Sequence, residues 1–286
     1  MNRIFLSTPL RDEAGNIQRL FDSVSAQTTT ISCWVIVENG STDGSKELLA
    51  RMPRPQNVAN LIILNYEPSK SGYALGSKYA EVVLRGFDEI RSNYQIGDED
   101  FVGILDADSF PEPNYYEKLI AAFEYDPELG IVSGVSRDAK NNRPSDHSAS
   151  WVRGSCRLWR GRCFNQCGYI VGPSADTLSL GLAELHGWKG YAVQDAVFYA
   201  RDVGDRADFS YYGRSAYFRG NTLAYAVIRS AKYLALFKPR KAFAFAHGYI
   251  SAMTSRAERL DHPELRAHFR GYLKRELMRR LKGAGQ

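Results

Sequence analysis

The 286-residue chain is expected to be an α/β protein: an open, mostly parallel, twisted sheet with helices on both faces, followed by a C-terminal helical extension. Three observations predict this class. Short continuous apolar runs alternate with stretches of helical periodicity, the pattern of parallel strands joined by crossover helices. Polar clusters close three of those runs, at the strand ends where open α/β sheets bind ligands. Beyond Phe209 the strand signals stop and basic, amphipathic helical patterns take over. The expected division is residues 1–210 and residues 211–286.

In chain order, RIFLSTPL (3–10) predicts a buried strand, and 16–26 a helix that buries Ile17, Leu20, Phe21 and Val24. CWVIVE (33–38) is a second apolar run, closed by the turn cluster Asn39–Gly44, with a short helix over 45–51. LIIL (61–64) is a third strand, and 72–91 a helix with Tyr73, Leu75, Tyr79, Val82, Val83 and Phe87 toward the core. FVGIL (101–105), a helix over 114–125 and GIVSGV (130–135) complete the regular alternation. Residues 136–165 are polar and poorly periodic, which predicts a long loop near the site. GYIVGP (168–173) predicts a strand or turn, Ala175–His186 a helix stopped by Gly187, and WKGYAV and AVFYA extended structure. In the extension, helices are expected over 222–237, from just after Pro239 through 260, and over 264–283.

A content of 44% hydrophobic and 24% charged residues is that of an ordinary globular protein with a sizeable core. MNRIFLSTPL carries no signal-peptide h-region, and no apolar stretch is long enough to predict a spanning helix. Cys33, Cys156, Cys163 and Cys167 match neither a disulfide framework nor a zinc spacing. Together these predict a reducing, cytoplasmic location. The net charge of +5 hides an asymmetry: residues 211–286 carry 16 Lys and Arg against 4 Asp and Glu, a net of +12. That suggests an anionic partner such as a lipid surface, nucleic acid or phosphorylated substrate. A solvated helical face would give the same composition.

The most informative stretch is Phe101-Val102-Gly103-Ile104-Leu105-Asp106-Ala107-Asp108-Ser109. An apolar strand ends in two carboxylates one residue apart. Carboxylate oxygens suit hard cations such as Mn²⁺ or Mg²⁺, which bridge protein carboxylates to a substrate's phosphates. A turn explains the same residues, since Asp and Ser favour turns and Pro111 and Pro113 follow. The convergence of three polar clusters, Pro9–Glu13, Glu38–Asp43 and Asp106–Asp108, favours the metal-diphosphate reading.

In order, strand-PLRDE, strand-ENGSTDGS and strand-DADSFPEP resemble the opening blocks of glycosyltransferase family 2, inverting enzymes of GT-A fold that use nucleotide-sugars. The resemblance covers roughly residues 3–200. It implies a nucleotide-diphospho-sugar donor, a sugar or lipid-linked acceptor, Mn²⁺ or Mg²⁺, and no nucleic-acid partner. It places Pro9, Arg11 and Glu13 along the nucleotide and Glu38 and Asp43 at the base, although Asp43 also precedes a helix as an N-cap would. It gives Asp106 to the ribose, sugar and metal, and Asp108 to the metal. Gly72, in Lys70–Gly76, matches the segment where a helix begins beneath the nucleotide. An inverting transferase also needs a base for the acceptor hydroxyl. Asp176 matches it by opening a helix ahead of Gly187-Trp188, and Asp195 is the rival. Arg201 stands where many relatives carry a metal-binding His, and is expected to contact phosphate.

Two other classes compete: a nucleotidyltransferase, which would want a Gly-rich basic phosphate loop that STPLRDEAGN lacks, and a non-catalytic transferase-like module docked through its basic tail. The C-terminal helices have three expected uses: peripheral docking on the inner face of an anionic membrane, closing the acceptor side of the core, or a homodimer contact.

Overall fold

The computed structural model describes residues 2–66, 77–144, 151–201 and 208–283. The chain divides into two compact units, Met1–Val171 with Ala175–Asp202, and Gly172–Ser174 with Val203–Gln286.

The first unit is built on one sheet. Its strands are β1 (Ile4–Leu10), β2 (Cys33–Glu38), β3 (Leu61–Asn65), β4 (Phe101–Leu105), β5 (Ser109–Pro111), β6 (Leu129–Asp138), β7 (Cys156–Arg160) and β8 (Lys189–Ala200). They lie in the order β3-β2-β1-β4-β7-β6-β8-β5. β3, β2, β1 and β4 run parallel, β7 is antiparallel to both its neighbours, and β8 is parallel to β6.

The apolar runs are continuous because both faces are covered. Along β2, Trp34 and Ile36 face one cluster while Cys33, Val35 and Val37 face the other. Helices α1 (Ala14–Ser25), α2 (Ser45–Leu49) and α4 (Tyr115–Tyr125) bury their apolar stripes in the first cluster. Helices α3 (Ser77–Asn93), α5 (Gly161–Cys167) and α6 (Ala175–Leu185) bury theirs in the second. Ile17, Leu20, Phe21 and Val24 are buried on α1, as the periodicity predicts.

The long loop expected over 136–165 is the main correction. β6 continues to Asp138, β7 is a central strand, and α5 begins at Gly161. The segment looks like a loop because its strand carries two arginines, and both are buried with partners. Arg160 donates from Nε to the Leu129 carbonyl (3.1 Å) and from Nη1 to Glu99 (3.1 Å). GYIVGP forms no strand and leads into the turn before α6. Tyr79 is partly exposed rather than in the core, and Tyr73 and Leu75 lie outside the described residues. The four cysteines are free.

The second unit contains α7 (Phe209–Arg219), α8 (Leu223–Ala235), α9 (Pro239–Thr254), α10 (Pro263–Arg270) and α11 (Tyr272–Gly283). The sequence pattern had no element for α7, and the single helix expected over 264–283 is two, broken at Gly271. α7 and α9 cross closely through paired glycines. A Cβ at Gly213 would fall 2.1 Å from the Phe245 carbonyl oxygen, and one at Gly248 would fall 2.0 Å from that of Ser210. Tyr217, Phe245 and Tyr249 form the core of this unit with small residues. Among the described residues no helix is long and apolar enough to cross a membrane.

Candidate active site

Three loops at the carboxyl ends of β1, β2 and β4 build the site. Parallel register aligns those ends: Leu10 pairs with Glu38, and Ser7 with Ile104.

The loops after β1 and β2 are locked together by their own side chains. Asp12 holds φ at 52°, a left-handed conformation that Asp tolerates better than most residues. Its N–H donates to Ser41 Oγ (3.0 Å), and its Oδ1 accepts from the Thr42 N–H (2.7 Å). Glu38 is buried, and its Oε1 accepts from the Ser41 N–H (2.5 Å). Asp43 accepts from the Ala14 N–H (2.9 Å) at the start of α1 and from the Ser45 N–H (3.0 Å) at the start of α2. These bonds, that of the Ser45 hydroxyl first, hold the Asp43 carboxyl below its ordinary range. Asp43 thus ties the first residues of two helices together. Pro9 sits in β1, and Arg11 is exposed beside Asp12 (3.5 Å).

The loop after β4 is different. Asp106 is joined to the start of β7 by its N–H, which donates to the Ser155 carbonyl (2.8 Å). Its Oδ1 accepts from the Tyr79 hydroxyl (2.5 Å). Burial, and then the neighbouring charge of Asp108, push the Asp106 carboxyl up to about 8; Asp176 adds to the push and Arg157 opposes it. Asp108 is likewise raised by burial, against the pull of Arg201. Arg201, just past β8, reaches Asp108 Oδ2 at 3.8 Å and Glu13 at 3.0 and 3.2 Å. Burial also raises Glu13, although Asn16 and Arg201 both favour its charged form.

Asp176 lies in the first turn of α6 and belongs to the same electrostatic cluster as Asp106. The link between them is Arg157, which the sequence reading missed. It is a buried arginine on β7, opposite Ile104, two residues short of Asp106. Its Nε donates to the Arg153 carbonyl (2.6 Å) and its Nη1 to that of Asp176 (3.1 Å). Burial lowers its pKa, and the charge of Asp176 is the largest influence opposing that. Tyr79 and Tyr169 complete the surroundings of Arg157, Tyr169 held edge-to-face on Phe87 at 5.4 Å. One sequence signal for Arg157 existed: in CRLWR, alternate residues face opposite sides of a strand, with Cys156 and Leu158 in one core cluster and Trp159 in the other.

Asp195 stands apart, 75% exposed on β8, with Lys118 of α4 at 3.9 Å. Gly72 lies outside the described residues. No group of three or more His, Cys, Asp or Glu among the described residues could by itself hold a metal. The all-oxygen pair Asp106 and Asp108 still fits a hard divalent cation that draws its remaining ligands from phosphate and water. A cation there would offset the burial that raises both carboxyls and the repulsion that Asp108 adds at Asp106.

The sequence matches no protein-family model and no curated protein. Several solved structures share the fold. One is S. aureus TarS, with TM-score 0.53 and 12% identity, covering 75% of this chain and 38% of TarS. Residues 1–349 of TarS in complex with UDP-GlcNAc give 0.52 and 13%, covering 89% of this chain and 73% of that one. The mannosyltransferase PcManGT of Pyrobaculum calidifontis, in complex with GDP-Man and Mn²⁺, gives 0.52 and 17%, covering 92% and 77%. The chain therefore shares its fold with a mannosyltransferase bound to GDP-Man and with TarS bound to UDP-GlcNAc.

Proposed function

We propose that the chain is an inverting glycosyltransferase of the family 2 type, moving a sugar from a nucleotide-diphospho-sugar to an acceptor hydroxyl. The observation that carries this reading is the juxtaposition of the Asp106–Asp108 pair with Asp176 through Arg157. A diphosphate leaving group and an acceptor proton need charge management at neighbouring points. The structural likeness to proteins holding GDP-Man and UDP-GlcNAc supports the same donor class.

In this mechanism the nucleotide lies across the ends of β1 and β2, against Pro9 and Arg11, over the loop that buried Glu38 holds through the Ser41 N–H. Asp43 and Asp12 keep the two loops in place for it. Asp106 and Asp108 would hold Mn²⁺ or Mg²⁺, which when bound supplies positive charge to the departing diphosphate. Arg201 offers its guanidinium to a phosphate oxygen, with Glu13 fixing its orientation. Asp176 takes the acceptor hydroxyl's proton as that oxygen bonds to the anomeric carbon. The bond from that carbon to the diphosphate breaks on the opposite side, the nucleoside diphosphate leaves with the electron pair, and configuration inverts. Arg157 orients the first turn of α6 through the Asp176 carbonyl.

The deciding experiment measures product release from UDP-, GDP-, dTDP- and CDP-sugars with Mn²⁺, beside thermal shifts with the free nucleotides. Nucleoside diphosphate release that EDTA abolishes is the expected result. Release of sugar 1-phosphate, the leaving group of nucleotidyl transfer from such a donor, would instead indicate a nucleotidyltransferase, and binding without release a non-catalytic module.

A further inference from the structure

We propose that the exposed face of α8 and the turn joining it to α9 dock on an anionic phospholipid surface. This rests on the second unit alone and is independent of the transferase reading.

Of its thirteen residues, α8 buries Ala226 only. Leu223, Val227, Ile228, Ala231 and Leu234 are exposed. At 3.6 residues per turn they fall within one arc of roughly 140°, and no charged residue of the helix falls inside it. The apolar surface continues into the turn through Leu236 and Phe237, which is 93% exposed, and onto α9 through Phe243, which is 71% exposed.

The backbone presents Phe237 at a cost. At the end of α8, the Lys238 N–H bonds the Tyr233 carbonyl and the Phe237 N–H bonds that of Leu234, both at 2.9 Å. That pair of bonds closes a helix with its next-to-last residue left-handed, a position that favours glycine. α7 ends in the same pair of bonds with Gly220 there, at φ 89°. α8 places a phenylalanine there instead, at φ 54°. A bulky residue held in a strained conformation with its ring in solvent points to use of the ring.

Charge identifies the occupant. Between Asp208 and Glu258 the chain has eight Lys and Arg and no acidic residue. Lys232 borders the apolar arc, and Arg240 follows Phe237. A second copy would bring like charges together, whereas an anionic bilayer complements them. Thirteen residues make a helix of about 20 Å, short of the roughly 30 Å hydrocarbon core, so α8 would lie in the interface plane.

The test is co-sedimentation of the full chain with vesicles of phosphatidylcholine alone or containing about 30% phosphatidylglycerol, at low and high salt. Binding should require phosphatidylglycerol and weaken at high salt. Phe237→Gly should bind at least about 10-fold more weakly, the loss expected for an unburied phenyl ring, while melting at the same or a higher temperature. Lys232→Gln with Arg240→Gln should lose roughly 5-fold per charge at low salt. Failure to sediment with anionic vesicles at low salt would overturn the proposal, as would undiminished binding by Phe237→Gly. A dimer that Phe237→Gly dissociates would assign the face to a second copy and overturn it equally.

Discussion

Two groups of carboxylates in the site behave in opposite ways. Asp12, Glu38 and Asp43 accept from backbone N–H groups of the loops after β1 and β2, so their charge is spent on local structure. Asp106 and Asp108 instead stand close to one another with Glu13 and Asp176 nearby, offset by Arg157, Arg201 and the Tyr79 hydroxyl. The first group holds the cradle, and the second is arranged around charge that a ligand would supply. An acidic motif at a strand end therefore has two meanings, and the hydrogen-bond partners tell them apart.

Substitution at Asp176 tests the contrast most severely. Asp176→Asn should lower kcat by about 10²–10⁴-fold, the range of a lost general base, while nucleotide-induced thermal shifts persist. Asp195→Asn should remain near wild type, because its neighbour is Lys118 and not the acidic cluster. The reverse pair of results would move the base to β8. Next, Asp108→Asn should cost about 10²–10³-fold in turnover and abolish the metal-dependent shift, with no fall in Tm, since it removes a like charge. An Asp108→Asn protein of full activity would exclude its metal role.

In the other group the effect should appear in stability. Asp43→Ala removes the acceptor shared by the first residues of α1 and α2 and should lower the urea midpoint of unfolding, with kcat reduced only slightly. The smallest effect is expected at Asp100, away from both groups. Its burial opposes ionisation, but Arg3 and the backbone N–H groups of Arg3 and Gly97 outweigh this and depress its pKa. Its contribution is therefore fully present above the unfolded carboxyl pKa of about 3.9 and fades as pH falls through the lower folded value. Asp100→Asn should lose about 1 kcal/mol at pH 7, and the deficit should shrink toward pH 2.

The parallel half of the sheet was legible because strands buried on both faces must be apolar throughout. β2 and β4 begin and end where their apolar runs do, and the polar clusters that follow mark the site. The antiparallel half hid itself. β7 has Arg157 and Arg160 within five residues, and its pairing with β4 joins segments some fifty residues apart. A buried arginine is paid for by carbonyls and carboxylates from other elements, and no local pattern announces them. Asp106 and Asp108 could be chosen from sequence, whereas Arg157, Tyr79 and Tyr169 became visible only once β7 and α3 were placed beside β4.

The central position of β7 also fixes an order of events as the chain is made. Until residues 156–160 emerge, β4 is an open edge with unpaired backbone groups, although β1, β2 and β3 can already pair. Asp106 gains its backbone anchor at Ser155 only with that last insertion. The loops after β1 and β2 can therefore take shape during synthesis, while the acidic centre waits for a distant contact, and such non-local pairings form slowly. Pulse-labelled refolding should show the β4–β7 amides protected after those of β1 and β2. The piece of the chain that gathers the site is also the piece that leaves its edge exposed longest.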